Sequence, residues 1–352
     1  MKVIKSRKHK KKPQDQSKLG FGKYFTDHMF TMEYEEGKGW HNEKVQPYAP
    51  LALDPGTMIL HYAQGIFEGM KAFRAADGSI NIFRPMENFL RMNRSAERMC
   101  IPQFDAGVAM EGLKKLIEVD KAWIPSEPGT ALYIRPTIIA TDVALGVHAS
   151  HKYLFFIVLC PVGSYYANGL QPVSIYVEDF YVRSAVGGTG EAKCIGNYAA
   201  SLKAAEVAAA QGFDQVLWLD AKDKKYVEEV GSMNMFFVIG DEVCTPMLTG
   251  SILPGITRKS SLEVLKKAGY KTAERKISID EVVAAAEKGE LKEAFGTGTA
   301  AVISPVGSLT YKGKTYEVGG GKMGEITQFL YDRITGIQRG EIADEFGWIE
   351  KL

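Results

Sequence analysis

The chain has 352 residues, 45% of them hydrophobic and 24% charged, a length and balance that suit a soluble globular protein of two domains or one large one. Its 43 basic and 42 acidic residues leave a net charge of +1, so bulk electrostatics calls for no nucleic-acid or membrane partner. No apolar run reaches the ~20 residues that a membrane-crossing helix needs; the longest, 153–160, has strand length.

Cys100, Cys160, Cys194 and Cys244 stand far apart and form no CxxC, so they read as reduced thiols of a cytoplasmic protein. The six histidines show no metal-ligand spacing, and no metal is expected. Residues 1–20 carry Lys2, Lys5, Arg7, Lys8, Lys10, Lys11 and Lys12 without the apolar stretch of a secretory signal, and are expected to form a disordered basic tail.

Taken in order, 21–30 alternates weakly and predicts a first strand. The glycine-punctuated stretch 60–73 follows, with strand character from Met70. Ile80–Phe83 is a short strand, and Arg84-Pro85 opens a helix, proline being suited to its first turn. Val108, Leu113, Leu116 and Val119 mark a second amphipathic helix. In the strand 131–139, Tyr133 and Arg135 are two apart and share one face of the sheet. The strand 153–160 leads into a Pro/Gly/Ser/Asn-rich linker. The boundaries are therefore a tail at 1–20, a small domain at 21–162, a connecting loop at 163–173 and a larger domain at 174–352.

The second half centres on Gly187-Gly188-Thr189-Gly190-Glu191-Ala192-Lys193-Cys194-Ile195-Gly196-Asn197-Tyr198. Asn197 is placed to cap an alanine-rich helix, 198–211, that stops at Gly212. A lysine among small and apolar neighbours just before a helix has the setting of a Schiff-base amine. Such an amine needs a pKa about 3 units below the usual lysine value, about 4 kcal/mol of destabilised charge, which desolvation and nearby cations supply. Strands follow at 215–219 and 226–230, where adjacent Glu228 and Glu229 point to opposite sides, one solvated and one available for burial. Ile256 and Thr257 begin a helix that ends at Gly269, with the free N–H groups that attract phosphate. Ser278-Ile279-Asp280-Glu281 is a capping box. A glycine–threonine turn at 295–301 and a closing helix with Ile326, Leu330, Ile334 and Ile337 complete the chain.

Lys193-Cys194-Ile195-Gly196-Asn197-Tyr198, Gln215-Val216-Leu217-Trp218-Leu219, Glu229-Val230-Gly231-Ser232-Met233-Asn234 and Leu253-Pro254-Gly255-Ile256-Thr257-Arg258 together resemble the branched-chain amino acid aminotransferases. The resemblance runs from about Phe21 to the C-terminus. It implies an α+β, two-domain architecture of the fold-type IV pyridoxal-phosphate aminotransferases, with the cofactor in the interdomain cleft. It also implies a homodimer in which the loop at Gly146-Val147 reaches the partner's active site. Pyridoxal 5'-phosphate would be held as a Schiff base by Lys193. Its phosphate would meet Arg84, Ile256, Thr257 and Thr299, its ring nitrogen Glu229 and its phenolic oxygen Tyr198. Arg183 would lie close by, and Ser232 keeps the hydroxyl of a threonine found in many relatives. Phe21, Tyr62, Tyr133, Arg135, Val147, Thr299 and Ala300 would form the substrate site, the last two through their backbone. The residues Ala301-Val302-Ile303-Ser304 stand where mammalian relatives carry a redox-active CxxC, so that switch is absent. The implied reaction moves the amino group of L-leucine, L-isoleucine or L-valine to 2-oxoglutarate by ping-pong kinetics. D-amino acid aminotransferases and aminodeoxychorismate lyases share the fold and are the nearest alternatives. A non-catalytic pyridoxal-phosphate-binding protein is a third.

Overall fold

The protein is described by a computed structural model covering residues 1–163 and 170–352. Most of the connecting loop expected at 163–173, including its two tyrosines, lies outside the described residues. The chain divides into two compact units. The first comprises Met1–Ala167, Ala192–Gly196 and Ile337–Leu352, the second Asn168–Glu191 and Asn197–Gly336.

Among the described residues, the first unit is built on a nine-stranded sheet. Its spatial order is Lys2–Val3, Gly39–Pro47, His28–Glu35, Lys152–Val162, Ala131–Ala140, Met70–Arg74, Ile80–Phe83 and Ile349–Lys351, with Gly65–Phe67 also paired to Ala131–Ala140. The helices Pro85–Arg98 and Ala106–Asp120 bury Phe89, Met92, Leu113 and Leu116 in a core shared with Phe30, Phe155 and Ile157 of the strands. The second helix is capped by Asp105, whose side chain accepts from the N–H groups of Gly107 and Val108, as its place before an apolar-periodic run requires.

The helix Pro85–Arg98 carries a polar row on its buried side. Asn88, Arg91 and Ser95, spaced by three and four residues, are each at most 4% exposed and lie on one face. Arg91 forms a two-pronged ion pair with Glu68, Nε to Oε1 at 2.7 Å and Nη2 to Oε2 at 2.8 Å, with Glu68 fully buried. A buried charge is tolerated only when it is paired and hydrogen-bonded. This pair ties the segment after the strand Gly65–Phe67 to the helix.

In the second unit, Val227–Val230, Gln215–Leu219, Val173–Glu178, Val302–Tyr311, Leu291–Gly298 and Met233–Ile239 pair in succession, and the last also pairs with the first. The six therefore close into a ring. Glu242–Pro246 and Thr272–Arg275 extend it from Met233–Ile239. Closure removes the exposed edges that an open sheet would leave.

Several expectations change. The basic segment 1–20 is not a free tail: Lys2 and Val3 pair in parallel with Lys44 and Val45, and Lys10 donates from its backbone to Asp27 and lies 3.7 Å over the Tyr48 ring. The first strand begins at His28 rather than Phe21, and 21–27 lacks regular structure. The alanine-rich helix starts at Ile195. Asn197 is therefore inside it, and its amide instead holds Thr189 of the glycine-rich turn, donating to the carbonyl at 2.8 Å and accepting from the hydroxyl at 2.6 Å. Lys193 belongs to the first unit, not to the larger C-terminal domain.

Replacing Glu68 with alanine leaves the Arg91 guanidinium buried without its carboxylate. The expected loss of stability is about 3–5 kcal/mol, read from urea unfolding of the variant beside the parent protein.

Candidate active site

Lys193 is fixed in the first unit by its backbone. Its N–H donates to Ser95 Oγ at 2.9 Å, its carbonyl accepts from Phe67 N at 3.0 Å, and the next residue, Cys194, bridges to Ile66. The side chain reaches over the Phe67 ring, with Nζ 4.9 Å from the centroid. The same ring lies 4.6 Å from the Arg135 guanidinium carbon. Arg135 Nη2 donates to the Tyr133 hydroxyl at 3.1 Å, and the Tyr133 ring meets Phe21 edge-on at 4.8 Å. The shared strand face expected for Tyr133 and Arg135 is therefore realised as a direct contact. Lys193, Arg135, Tyr133 and Phe21 form one chain of contacts through Phe67.

Two features set this cluster apart. Arg135 Nε is buried without a hydrogen-bond partner, and an unmet buried donor of a cationic group costs free energy until an acceptor arrives. Gly69 has no room for a side chain, because a Cβ there would stand 2.1 Å from the Tyr133 hydroxyl. The absent side chain is what lets that hydroxyl pack against the backbone.

Arg84 sits at the joint between the strand Ile80–Phe83 and the helix Pro85–Arg98, as its sequence position predicts. It adopts the left-handed conformation, with φ of 47°, which side chains other than glycine enter at a cost. The joint is over-determined: Arg84 N donates to the Trp348 carbonyl at 2.8 Å, and Asn88 donates to the Arg84 carbonyl at 2.9 Å. The guanidinium lies 5.1 Å over Trp348 and 3.2 Å from Glu87.

Tyr62 ends the short helix Met58–Tyr62 and donates its hydroxyl to the Leu145 carbonyl. It thereby ties to the 142–151 loop on which Val147 is 82% exposed.

The second unit gathers another set. Glu229 is 3% exposed. Its Oε1 accepts from Leu253 N at 2.9 Å and Asn234 Nδ2 at 3.3 Å, and its Oε2 lies 3.1 Å from Arg183 Nε. Arg183 also donates to the carbonyls of Gly190 and Ser251. Glu228, expected to be solvated if its neighbour is buried, is buried as well, at 5%. Ser251 donates to it, and burial raises its carboxyl pKa. Both faces of the strand Val227–Val230 are covered, which is why both glutamates are enclosed.

Ile256 and Thr257 occupy the first turn of the helix Ile256–Lys267 and are buried. The N-cap is Gly255, which has no capping side chain to offer. A Cβ at Gly255 would lie 1.9 Å from Asn234 Oδ1, so the position excludes one. The helix start is thus left to backbone donors and a positive dipole end, the arrangement that receives phosphate. Thr299 and Ala300 lie in the turn between Leu291–Gly298 and Val302–Tyr311, both half-buried. Tyr198 is half-buried on the helix Ile195–Ala210, and Ser232 is exposed in the turn before Met233–Ile239.

Two residues of the first cluster, and a buried lysine on a neighbouring strand, are missing from the sequence reading. Phe67 looks like an ordinary core aromatic, and only the contacts of its ring show otherwise. Ser95 lies 98 positions from Lys193, and no local pattern links them. Lys71, paired in register with Tyr133, is 9% exposed, and burial, with Arg339 nearby, pushes its pKa down to about 8. A lysine within a strand of alternating character reads as solvated, so its burial gave no sequence signal.

Comparison with known proteins gives these clusters a family. The profile of the amino-transferase class IV family matches residues 65–309. Branched-chain-amino-acid aminotransferase 2 of Bacillus subtilis (strain 168) is 56% identical over 343 residues, covering 97% of this chain and 94% of that protein. The crystal structure of the Escherichia coli branched-chain amino acid aminotransferase superposes with a TM-score of 0.77 at 26% identity, covering 92% of this chain and 98% of that one. The T.th. branched-chain amino acid aminotransferase complexed with N-(5'-phosphopyridoxyl)-L-glutamate gives 0.73 at 25% identity, covering 91% and 97%. The chain belongs to the class IV aminotransferases and, within them, to the branched-chain-amino-acid aminotransferases. It is thus an enzyme with the fold-type IV α+β architecture. No helix among the described residues is long and apolar enough to cross a membrane.

Lys71 supplies a pH test. Its folded pKa lies below the unfolded 10.5, so the unfolded chain binds the extra proton between about 8 and 10.5 and stability rises with pH across that window. Below it the penalty is present in full. Lys71→Met is expected to raise the urea midpoint near neutral pH, with the difference from the parent shrinking as pH nears 10.5.

Proposed function

We propose that this enzyme transfers the amino group of L-leucine, L-isoleucine or L-valine to 2-oxoglutarate using pyridoxal 5'-phosphate, and that it works as a cytoplasmic homodimer. The observation that carries the reading is Lys193, its backbone held by Ser95 and Phe67, with the Phe67 ring also meeting Arg135, whose Nε is unmet. A lysine on a fixed backbone and a cation with an unmet donor are what an amino-acid substrate with its carboxylate calls for.

The residues fit the cofactor. Arg84, the first-turn donors of Ile256 and Thr257, and Thr299 are assigned to its phosphate, and the excluded side chain at Gly255 keeps that helix start clear. Glu229 is assigned to the ring nitrogen, where a carboxylate retains the ring proton. Leu253 N, Asn234 and Arg183 fix its orientation and charge. Tyr198 donates to the phenolic oxygen, and Arg183 and Ser232 complete the surroundings. When bound, the cofactor supplies an electron sink for the carbanion at the substrate α-carbon.

The chain's own residues do the rest. Lys193 Nζ would hold the cofactor and, once freed from it, would serve as the general base that accepts the substrate α-proton and then as the acid that gives it up again. One positioned amine serves both transfers, and the two substrates react in turn. Arg135 and the backbone of Thr299 and Ala300 orient the carboxylates. Tyr133, Tyr62 and Phe21 shape the side-chain pocket, with Val147 contributed from its loop. A methylene in an apolar pocket is worth about 1–3 kcal/mol, so all three branched-chain amino acids are accepted.

Two measurements test this. Lys193→Ala is expected to lower leucine–2-oxoglutarate transamination by about 10²–10⁴-fold or more, and steady-state turnover at the parent rate overturns the assignment. Titrating the loaded enzyme with L-leucine is expected to bleach the visible cofactor band, and 2-oxoglutarate to restore it. A response to D-alanine and none to leucine would leave Lys193 in place and refute the substrate roles of Tyr62, Tyr133 and Arg135.

A further inference from the structure

We infer that the loop 142–151 of the first unit carries a binding site for a divalent transition-metal ion of zinc type, ligated by Asp142 Oδ2, His148 Nε2 and His151 Nδ1. His148 and His151 are three apart in a loop, and sequence alone offers them no third ligand. The fold brings Asp142 to both: the three donor atoms lie within 4.8 Å of one another.

The separations suit the ion. Zinc bonds of about 2.0–2.1 Å in tetrahedral geometry set neighbouring ligand atoms about 3.3 Å apart. Asp142 Oδ2 lies 3.0 Å from His151 Nδ1 and 3.9 Å from His148 Nε2, on either side of that value. The imidazoles are 38% and 53% exposed, so small rotations bring all three to it.

The surroundings already orient the donors. His148 Nδ1 lies 2.8 Å from the Gly146 carbonyl. A carbonyl only accepts, so Nδ1 carries the proton and, in the neutral ring, Nε2 presents its lone pair toward Asp142. That backbone contact is the outer support usually found behind a metal-binding histidine. His151 Nε2 lies 3.8 Å from Glu36 Oε2. When the metal takes Nδ1, the ring proton is carried on Nε2, where this carboxylate faces it. The loop is held at its ends: His151 N donates to Asp142 Oδ2 at 2.7 Å, Ser150 N to Gln64 at 3.1 Å, and Thr141 N to the Lys152 carbonyl at 2.9 Å. The donor set of two imidazoles and one carboxylate selects zinc-like ions over calcium or magnesium, which take oxygen ligands.

The test uses the cofactor-loaded full chain, freed of metal with a chelator, and zinc chloride titrated in competition with a chromogenic zinc indicator. One zinc per chain is expected, with affinity in the micromolar range. His148→Ala and His151→Ala should each weaken it at least 10-fold, Glu36→Gln should weaken it about 10–100-fold as an outer-support residue, and His41→Ala should leave it unchanged. Matching thermal unfolding of the four variants confirms that the loop changes act on binding. Absence of a saturable one-per-chain site, or full affinity in either His148→Ala or His151→Ala, overturns the inference.

Discussion

The buried pair between Arg91 and Glu68 is the constraint on which the first unit's chemistry depends. Glu68 is fully enclosed, and a carboxylate in that position is held only by a cation that satisfies both oxygens. The cation comes from the helix Pro85–Arg98, so the pairing fixes the glycine-flanked segment to that helix. Phe67 precedes Glu68, and its N–H binds the Lys193 carbonyl. Ser95, one turn beyond Arg91 on the same face, binds the Lys193 N–H. Arg84 lies at the N-terminus of that helix. One helix thus sets the positions of a cation, an aromatic platform and the backbone of Lys193.

The second unit solves a similar problem by other means. Glu229 is enclosed in a closed ring of strands, and its charge is met by Arg183, an amide side chain and a backbone N–H. Asn234 serves twice, since its Nδ2 binds Glu229 and its Oδ1 fills the space beside Gly255. The carboxylate and the uncapped helix start are therefore coupled through one side chain. Glu229 and Asn234 both rest on strands, where side chains are placed more firmly than on loops.

The longer helices, some of the strands and the strand-to-helix joint at Arg84 were legible because each has a local cause: an apolar period, a proline at a first turn, a glycine at a stop. The same reasoning failed where a local cause competed with a distant partner. Asn197 has the chemistry of an N-cap, but its amide is drawn to Thr189 and the helix begins two residues earlier. Residues 1–20 have the composition of a solvated tail, but Asp27 and Tyr48 hold Lys10, and Lys44 and Val45 offer a strand edge. Glu228 reads as the solvated partner of Glu229, because nothing in a five-residue window reveals that both faces of its strand are covered.

By itself the sequence determined the identity and order of the chemical groups: a lysine after a glycine-rich run, a Tyr-x-Arg pair on one strand face, a glutamate before a turn, and a helix start after Pro-Gly. It also determined the family, because several ordered motifs over most of the chain are specific in a way that no single motif is. Only the tertiary structure decided which groups meet. The pairing of Lys193 with Ser95 spans 98 positions, and the meeting of Lys193, Phe67 and Arg135 depends on strand register and helix packing. These are set by burial of the whole apolar pattern rather than by any neighbouring residue. The physical reason is that propensity and capping act over a few residues, whereas the burial that makes an ion pair obligatory is a property of the assembled core.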